Sequence, residues 1–216
     1  MLGLIEKDLR LTLTRKQTLI IFLAIALFMG ISMDGTFVIG YFTMLATIMS
    51  VGTISYDEFD NGFAFLMTLP FERKTYVREK YLLSLLFVAA AWSIGTILYC
   101  IGSVVRHNTA ALADELPVMP VLIPLFYLAA AIMIPLQLKY GAEKSRLALA
   151  VIFGIIAAVI YGSTRLLDGT NILSRLAMTL ESISPVIALV ALSGICIIVS
   201  YVFYLLSVRI IEKKEF

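Results

Sequence analysis

Residues 56–80 read YDEFDNGFAFLMTLPFERKTYVREK, and residues 81–105 follow without a break as YLLSLLFVAAAWSIGTILYCIGSVV. The first segment carries nine charged side chains; the second carries none. An apolar run of that length exceeds the ~20 residues a helix needs to cross a ~30 Å hydrocarbon core. The change of composition between Lys80 and Tyr81 therefore marks a membrane boundary, with a long polar loop on one side and a membrane span on the other.

Working outward, five more apolar stretches read as spans: 36–55, 117–138 and 183–208 reach that length, while 18–33 and 147–163, with 16 and 17 residues, fall at or below it. The composition of the whole chain agrees. Of 216 residues, 61% are hydrophobic and 15% charged, against roughly 25% charged in an ordinary soluble domain. Mean hydropathy is +0.98. Such a chain is neither a soluble globular protein nor disordered, since disordered segments are polar and poor in aromatics. The fold class expected is an all-α integral membrane protein with six transmembrane helices. The stretches between spans are too short to hold a soluble catalytic domain.

Basic residues set the orientation, because Lys and Arg accumulate in cytoplasmic loops. Lys7, Arg10, Arg15 and Lys16 fall on one side, joined by Arg73, Lys74, Arg78 and Lys80, by Lys139, Lys144 and Arg146, and by Arg209, Lys213 and Lys214. Only Arg106, Arg165 and Arg175 fall on the other. Both termini are therefore expected in the cytoplasm, and an even number of spans agrees. The net charge of +2 serves topology; no basic stripe with interleaved aromatics suggests nucleic acid.

Before the first span, Leu2, Ile5, Leu9 and Leu13 recur at helical steps, opposite Lys7, Arg10 and Thr14, although Leu4 and Leu11 break the pattern. This spacing predicts a helix over 1–17 lying in the cytoplasmic interface. Asp34-Gly35 is a tight-turn pair that makes the first two spans a hairpin. In the loop, Asp57, Glu58 and Asp60 precede an Asn61-Gly62 turn signal and the apolar run Phe63, Phe65, Leu66, Met67 and Leu69, which Pro70 ends. A helix from Glu72 then leads into the third span. Pro117, Pro120, Pro124 and Pro135 mark the fourth as kinked and packed among neighbours. Ala150, Gly154, Ala158 and Gly162 repeat every fourth residue in the fifth, a ridge of small side chains that permits close helix packing. Asn171 can cap a short external helix bearing Ile172, Leu176 and Leu180, within an external element at 164–182.

Catalytic constellations are missing. The one histidine, His107, sits in an external loop, and there is no His-Glu-x-x-His, paired-cysteine motif or Gly-x-Ser-x-Gly elbow. No Gly-Lys pair occurs, so this chain lacks a phosphate-binding P-loop. Cys100 and Cys196 fall inside spans as small packing residues. Thr43, Thr47 and Ser50 form a hydroxyl stripe with Tyr41 near its outer end, and Ser93, Thr96 and Tyr99 a weaker one. These serve either plain packing or a mildly polar path for an amphipathic substrate. No charge at depth points to an ion-coupled transporter.

The run LMTLPFERKTYVREKY at 66–81 resembles the LxxLPxxRxxxVxxKY segment of permease subunits in type-2 ABC exporters. The acids and Gly62 before it are also similar to that family. The resemblance implies an N-terminal elbow helix, a first cytoplasmic loop acting as a coupling helix, and no cofactor bound by this chain. ATP and Mg2+ would sit on a separate ATPase. It further implies two copies of that ATPase and a second permease, identical or closely related, in the bacterial cell membrane. Carried onto these positions, Phe63, Phe65, Leu66 and Leu69 would be the docking face and Pro70 its turn. Glu58 and Asp60 would lie at its rim, and Arg73 would follow. The substrate expected is an amphipathic peptide or hydrophobic compound, with Tyr41, Thr43, Thr47 and Ser50 on its path. A rival reading from another class is a membrane scaffold or peptide-immunity protein, which needs no ATPase; an intramembrane enzyme ranks last.

Overall fold

The computed structural model describes residues 2–14, 37–59, 62–66, 68–105, 119–167 and 185–214, with 16, 17, 20–22, 24, 25, 28 and 115 as isolated additions. All regular structure among the described residues is helical. Helix α1 spans Leu2–Thr14, α2 Phe37–Glu58, α3 Gly62–Leu66, α4 Arg73–Val105, α5 Leu122–Leu167 and α6 Pro185–Lys213, with one 3-10 turn at Met119–Val121 before α5.

Among the described residues, four stretches are long and apolar enough to cross a membrane: Phe37–Glu58, Arg73–Val105, Met119–Gly141 and Ile187–Lys213. They overlap the second, fourth and sixth expected spans over most of their length and contain the third. The first expected span, 18–33, lies largely outside the described residues, as do the Asp34-Gly35 turn, the loop around His107 and the external segment from 168 to 182. Residues 147–163 are helical, but most of their side chains are outside the description.

Helix α4 is a single unbroken helix of 33 residues, about 50 Å at ~1.5 Å per residue. That exceeds the hydrocarbon thickness by several turns. Its first two turns, 73–80, hold all of its charged residues, and the uncharged stretch from Tyr81 onward is by itself long enough to cross. Helix α2 packs chiefly on α4 and α5, and α5 on α6. At one crossing Gly95 removes a side chain where α2 comes closest: a Cβ there would sit 3.0 Å from the Ile39 Cα. Small residues at such crossings let helix backbones approach in the membrane, where packing drives association.

The main core lies toward the loop end. Val51 and Ile54 of α2, Phe63 of α3, Tyr76, Val77 and Tyr81 of α4, Ala130, Ala131, Ile134 and Leu138 of α5 and Ile211 of α6 bury one another. Tyr81 ties three helices together: its hydroxyl is 3.1 Å from the Ala131 carbonyl and 2.9 Å from the Ser207 hydroxyl. At the opposite end a smaller core of Ile39, Tyr99 and Met119 packs with Trp92 and Leu122. There the Trp92 indole donates to the Met119 carbonyl at 3.1 Å.

The break in α5 replaces an expected loop over 139–146. Helical geometry is interrupted at Gly141 alone, with φ 77° and ψ 173°, a region that residues with a Cβ adopt only under strain. A Cβ would also meet the Glu58 carboxylate at 3.4 Å. Gly141→Ala is expected to cost about 1–3 kcal/mol, read as a lower unfolding midpoint in lipid nanodiscs. A change below ~0.5 kcal/mol would mean that the kink relaxes at no cost.

The N-terminal helix differs from its sequence reading. Leu9 and Leu13 are exposed, as residues facing lipid would be, but Leu4 and Asp8 are buried. Leu4, which interrupts the first apolar stripe, thus belongs with Asp8 to a second, inward face. The helix presents one face outward and holds the other against α2 and α4.

Candidate functional site: the braced loop

The loop between α2 and α4 is stabilised locally by short turns. Thr68 N–H donates to the Phe65 carbonyl at 3.1 Å and Leu69 N–H to that of Leu66 at 3.2 Å. Phe71 N–H closes on Leu69 across Pro70 at 2.7 Å. The expected docking residues split into two sets. Phe63 and Leu66, three apart on α3, turn inward, and Phe63 meets the Tyr76 ring edge-on at 5.2 Å. Phe65 and Leu69 point outward, 68% and 39% exposed. Pro70 is exposed at the turn, and Asp60 lies outside the described residues. The outward face is thus narrower than the four-residue face expected, because a five-residue helix cannot present i and i+3 to the core and keep them on the surface as well.

Arg73 does not stand free beside this face. Its Nη1 donates to the carbonyls of Ile211, Glu212 and Lys214 at 3.2, 3.0 and 3.1 Å. A cation there satisfies the orphan carbonyls of the α6 C-terminus and complements its dipole. Lys74 pairs with Glu212 at 3.3 Å. Lys214 returns the tie: its Nζ donates to the Leu138 carbonyl at 3.0 Å, lies 3.6 Å from Glu58 and sits over the Phe63 ring. The end of α6 is therefore clamped to the loop and to α5. Beside Glu58 an open cavity of about 540 Å³ is lined by Tyr56, Phe59, Tyr140, Gly141, Glu143 and Lys144, among others.

Beneath the loop lies a buried charged junction that sequence reasoning did not anticipate. Lys80 of α4 bonds Asp8 of α1, contacts Asp57 of α2 at 2.8 Å and reaches the Thr53 hydroxyl at 3.1 Å. Lys7 bonds Asp57 and lies 3.1 Å from Asp8. The Tyr76 hydroxyl donates to Asp57 at 2.9 Å. Asp8, Asp57, Glu79 and Lys80 are all buried. Burial alone would pull the Lys7 ammonium down, but the hydrogen bond and charge of Asp57, with Asp8 adding, hold it above the ordinary lysine value. A signal existed in the sequence. Asp57 continues the stripe of Thr43, Thr47 and Ser50, and Lys80 shares a face with Val77, Ser84 and Val88; both stripes are buried.

The hydroxyl stripe itself is enclosed. Thr43, Thr47 and Ser50 are buried in the chain's own packing. Each hydroxyl donates to a carbonyl of its own helix: Thr43 to Ile39 at 2.8 Å, Thr47 to Thr43 at 2.8 Å and Ser50 to Thr47 at 2.9 Å. Tyr41 is half-buried. A path along this stripe requires α2 to separate from its neighbours. Of the small-residue ridge, Gly154 is exposed with nothing within 4 Å of its Cβ position; the side chains of Ala150 and Ala158, and the surroundings of Gly162, lie outside the described residues. No group of three or more His, Cys, Asp or Glu side chains among the described residues is arranged to hold a metal ion.

No curated protein and no solved structure matches the chain. A family model does, and it spans nearly the whole length: residues 3–212 match the ABC-2 family transporter protein model, so the chain belongs to that family of membrane proteins.

Proposed function

We propose that this chain is the permease subunit of an ATP-driven exporter, with ATP and Mg2+ held by a separate ATPase that docks on the 56–80 loop from the cytoplasm. The observation that carries the reading is the outward pair Phe65 and Leu69, held on a loop braced from below by Phe63, Leu66, Arg73 and the charged junction. An exposed apolar patch on a braced loop marks a protein interface, and permeases of this family work with an ABC ATPase. Glu58 would form the rim of that interface, with Asp60 beside it and Pro70 setting its turn.

The working unit is two permeases, as a homodimer or with a close paralogue, and two ATPases in the bacterial cytoplasmic membrane. α1 acts as the elbow helix, and both termini are cytoplasmic. Closure of the ATPases pushes the loops, the helices repack, and the buried stripe of Thr43, Thr47 and Ser50, with the half-buried Tyr41 near its end, opens as the substrate path. The small-residue ridge of the fifth span supplies a close helix crossing in that repacking. The substrate is an amphipathic peptide or hydrophobic compound. The peptide class follows if the resemblance of the 66–81 run extends to the small permease of the phenol-soluble modulin exporter, whose substrates are peptides.

Reconstitution with its ATPase in vesicles tests this reading, with a fluorescent amphipathic peptide as the probe. ATP-dependent movement of the peptide is the expected result; ATP hydrolysis with no movement of any amphipathic peptide or hydrophobic dye would overturn it. The variant Thr43→Val, Thr47→Val, Ser50→Ala should fold with stability within about 1 kcal/mol of the parent, because each lost hydroxyl bonded only a carbonyl of its own helix. Its transport should fall several-fold. Unchanged transport would remove these three residues from the path.

A further inference from the structure

The junction beneath the loop does not balance its charge. It gathers two ammonium groups, Lys7 and Lys80, and three carboxyls, Asp8, Asp57 and Glu79. Two of the carboxyls take the cations in direct contact: Asp8 bonds Lys80, and Asp57 is shared between Lys7 and Lys80. Glu79 is left over. Its side chain is 0% exposed, and neither carboxylate oxygen has a hydrogen-bond partner among the described residues. The nearest cation, Lys80, stands 3.8 Å away and is already engaged.

A buried carboxylate with no hydrogen bond and no partner of its own is among the costliest groups a protein can hold. One positive charge must complete the site. A metal ion is disfavoured, because no three carboxylates, His or Cys converge around it among the described residues, and hard cations need several oxygen ligands. A proton needs only one carboxyl oxygen.

We propose that the junction is a proton-binding site with Glu79 as its acceptor, and that this one proton sets how tightly α1 is held to the loop-bearing helices. The inference rests on the junction alone and does not depend on the exporter reading. Among the described residues, the charged and titratable groups that bear on Glu79 are Lys7 and Asp8 from α1, Asp57 from α2, and its own helix neighbours Lys80 and Tyr76. Glu79 lies in the charged first two turns of α4, ahead of the uncharged stretch that is by itself long enough to span. Burial pushes its carboxyl up from 4.5 to about 7, with Lys80 and Lys7 opposing and Asp8 and Asp57 adding.

The sign of the consequence follows. A carboxyl whose folded value exceeds its unfolded one holds the proton longer when folded. Stability is then full below the unfolded value of 4.5, falls as pH rises, and is lost as pH passes through about 7. The ionised form adds a third negative charge beside Asp8 and Asp57, so the tie between α1 and α4 weakens.

Infrared titration of the whole protein in lipid nanodiscs, with glutamate labelled by carbon-13, tests this. The wild type should show a protonated glutamic-acid carbonyl band that disappears with a midpoint near neutral pH. Glu79→Gln should lack that band and lose the accompanying fall in thermal midpoint, whereas a control at the exposed Glu143, Glu143→Gln, should keep both. Replacing choline by sodium or potassium should leave the midpoint where it is. The proposal is overturned if no labelled carboxyl titrates near neutral pH in the wild type, a result that does not depend on any variant folding. It is equally overturned if the band persists in Glu79→Gln, or if sodium or potassium lowers the midpoint, which would make the occupant a metal ion.

Discussion

Lys80→Met is expected to cost about 3–5 kcal/mol, the usual loss when one partner of a buried ion pair is removed. Methionine matches the lysine stem, so packing against the Tyr76 ring survives and the change is one of charge. Lys80 is almost fully buried and touches Asp8, Asp57 and Thr53. Without it, Asp8 and Asp57 remain enclosed beside Glu79 with Lys7 as their only paired cation among the described residues. At ~2–4 °C per kcal/mol for a chain of this length, the unfolding midpoint should drop by roughly 6–20 °C. Trp92 is the sole tryptophan and packs in the opposite core, so its fluorescence reports global unfolding rather than local rearrangement.

The double variant Lys80→Met, Asp8→Asn separates this account from simple loss of packing. Removing the carboxylate that Lys80 served leaves Lys7 to neutralise Asp57, and coupled residues in one network do not add. More than half of the lost stability should return. If the double variant is instead as unstable as the sum of both single changes, the junction is not an electrostatic unit.

Much of the membrane architecture was legible because it depends on long apolar runs that any local reading detects. The uncharged run from Tyr81 is an example: composition marks it as a span, and it lies within α4, one of the helices long and apolar enough to cross. The stripes that carry Asp57 and Lys80 inward were legible, but the pairing at the junction was not, because its partners are far apart in sequence: Lys7 and Asp57 by 50 residues, Lys80 and Asp8 by 72. Charges counted for topology look like solvated charges until the fold encloses them. The small scale of α3 explains the other difference. Phe63, Phe65, Leu66 and Leu69 read as one apolar run, and helical periodicity alone separates the inward pair 63 and 66 from the outward pair 65 and 69. The loop expected at 139–146 contracted to Gly141 for a related reason: one residue free of a Cβ does what a polar loop otherwise does.

The second large effect concerns the outward pair. Phe65→Asp with Leu69→Asp places two charges on the exposed loop surface and leaves Phe63 and Leu66 in the core, so the fold should hold. At an interface hot spot each truncation costs about 2 kcal/mol or more, roughly 30-fold in affinity, and a buried unpaired charge adds to that. Binding to the ATPase should therefore weaken at least ~100-fold, below what survives washing.

Affinity purification of the tagged chain from its native membrane in mild detergent, followed by mass spectrometry and an ATP-hydrolysis assay, tests the central claim most directly. The account predicts a P-loop ATPase with the wild type and none with the Phe65→Asp, Leu69→Asp variant recovered in equal amount and folded form. An intact, abundant wild-type chain that brings down no ATPase would contradict it.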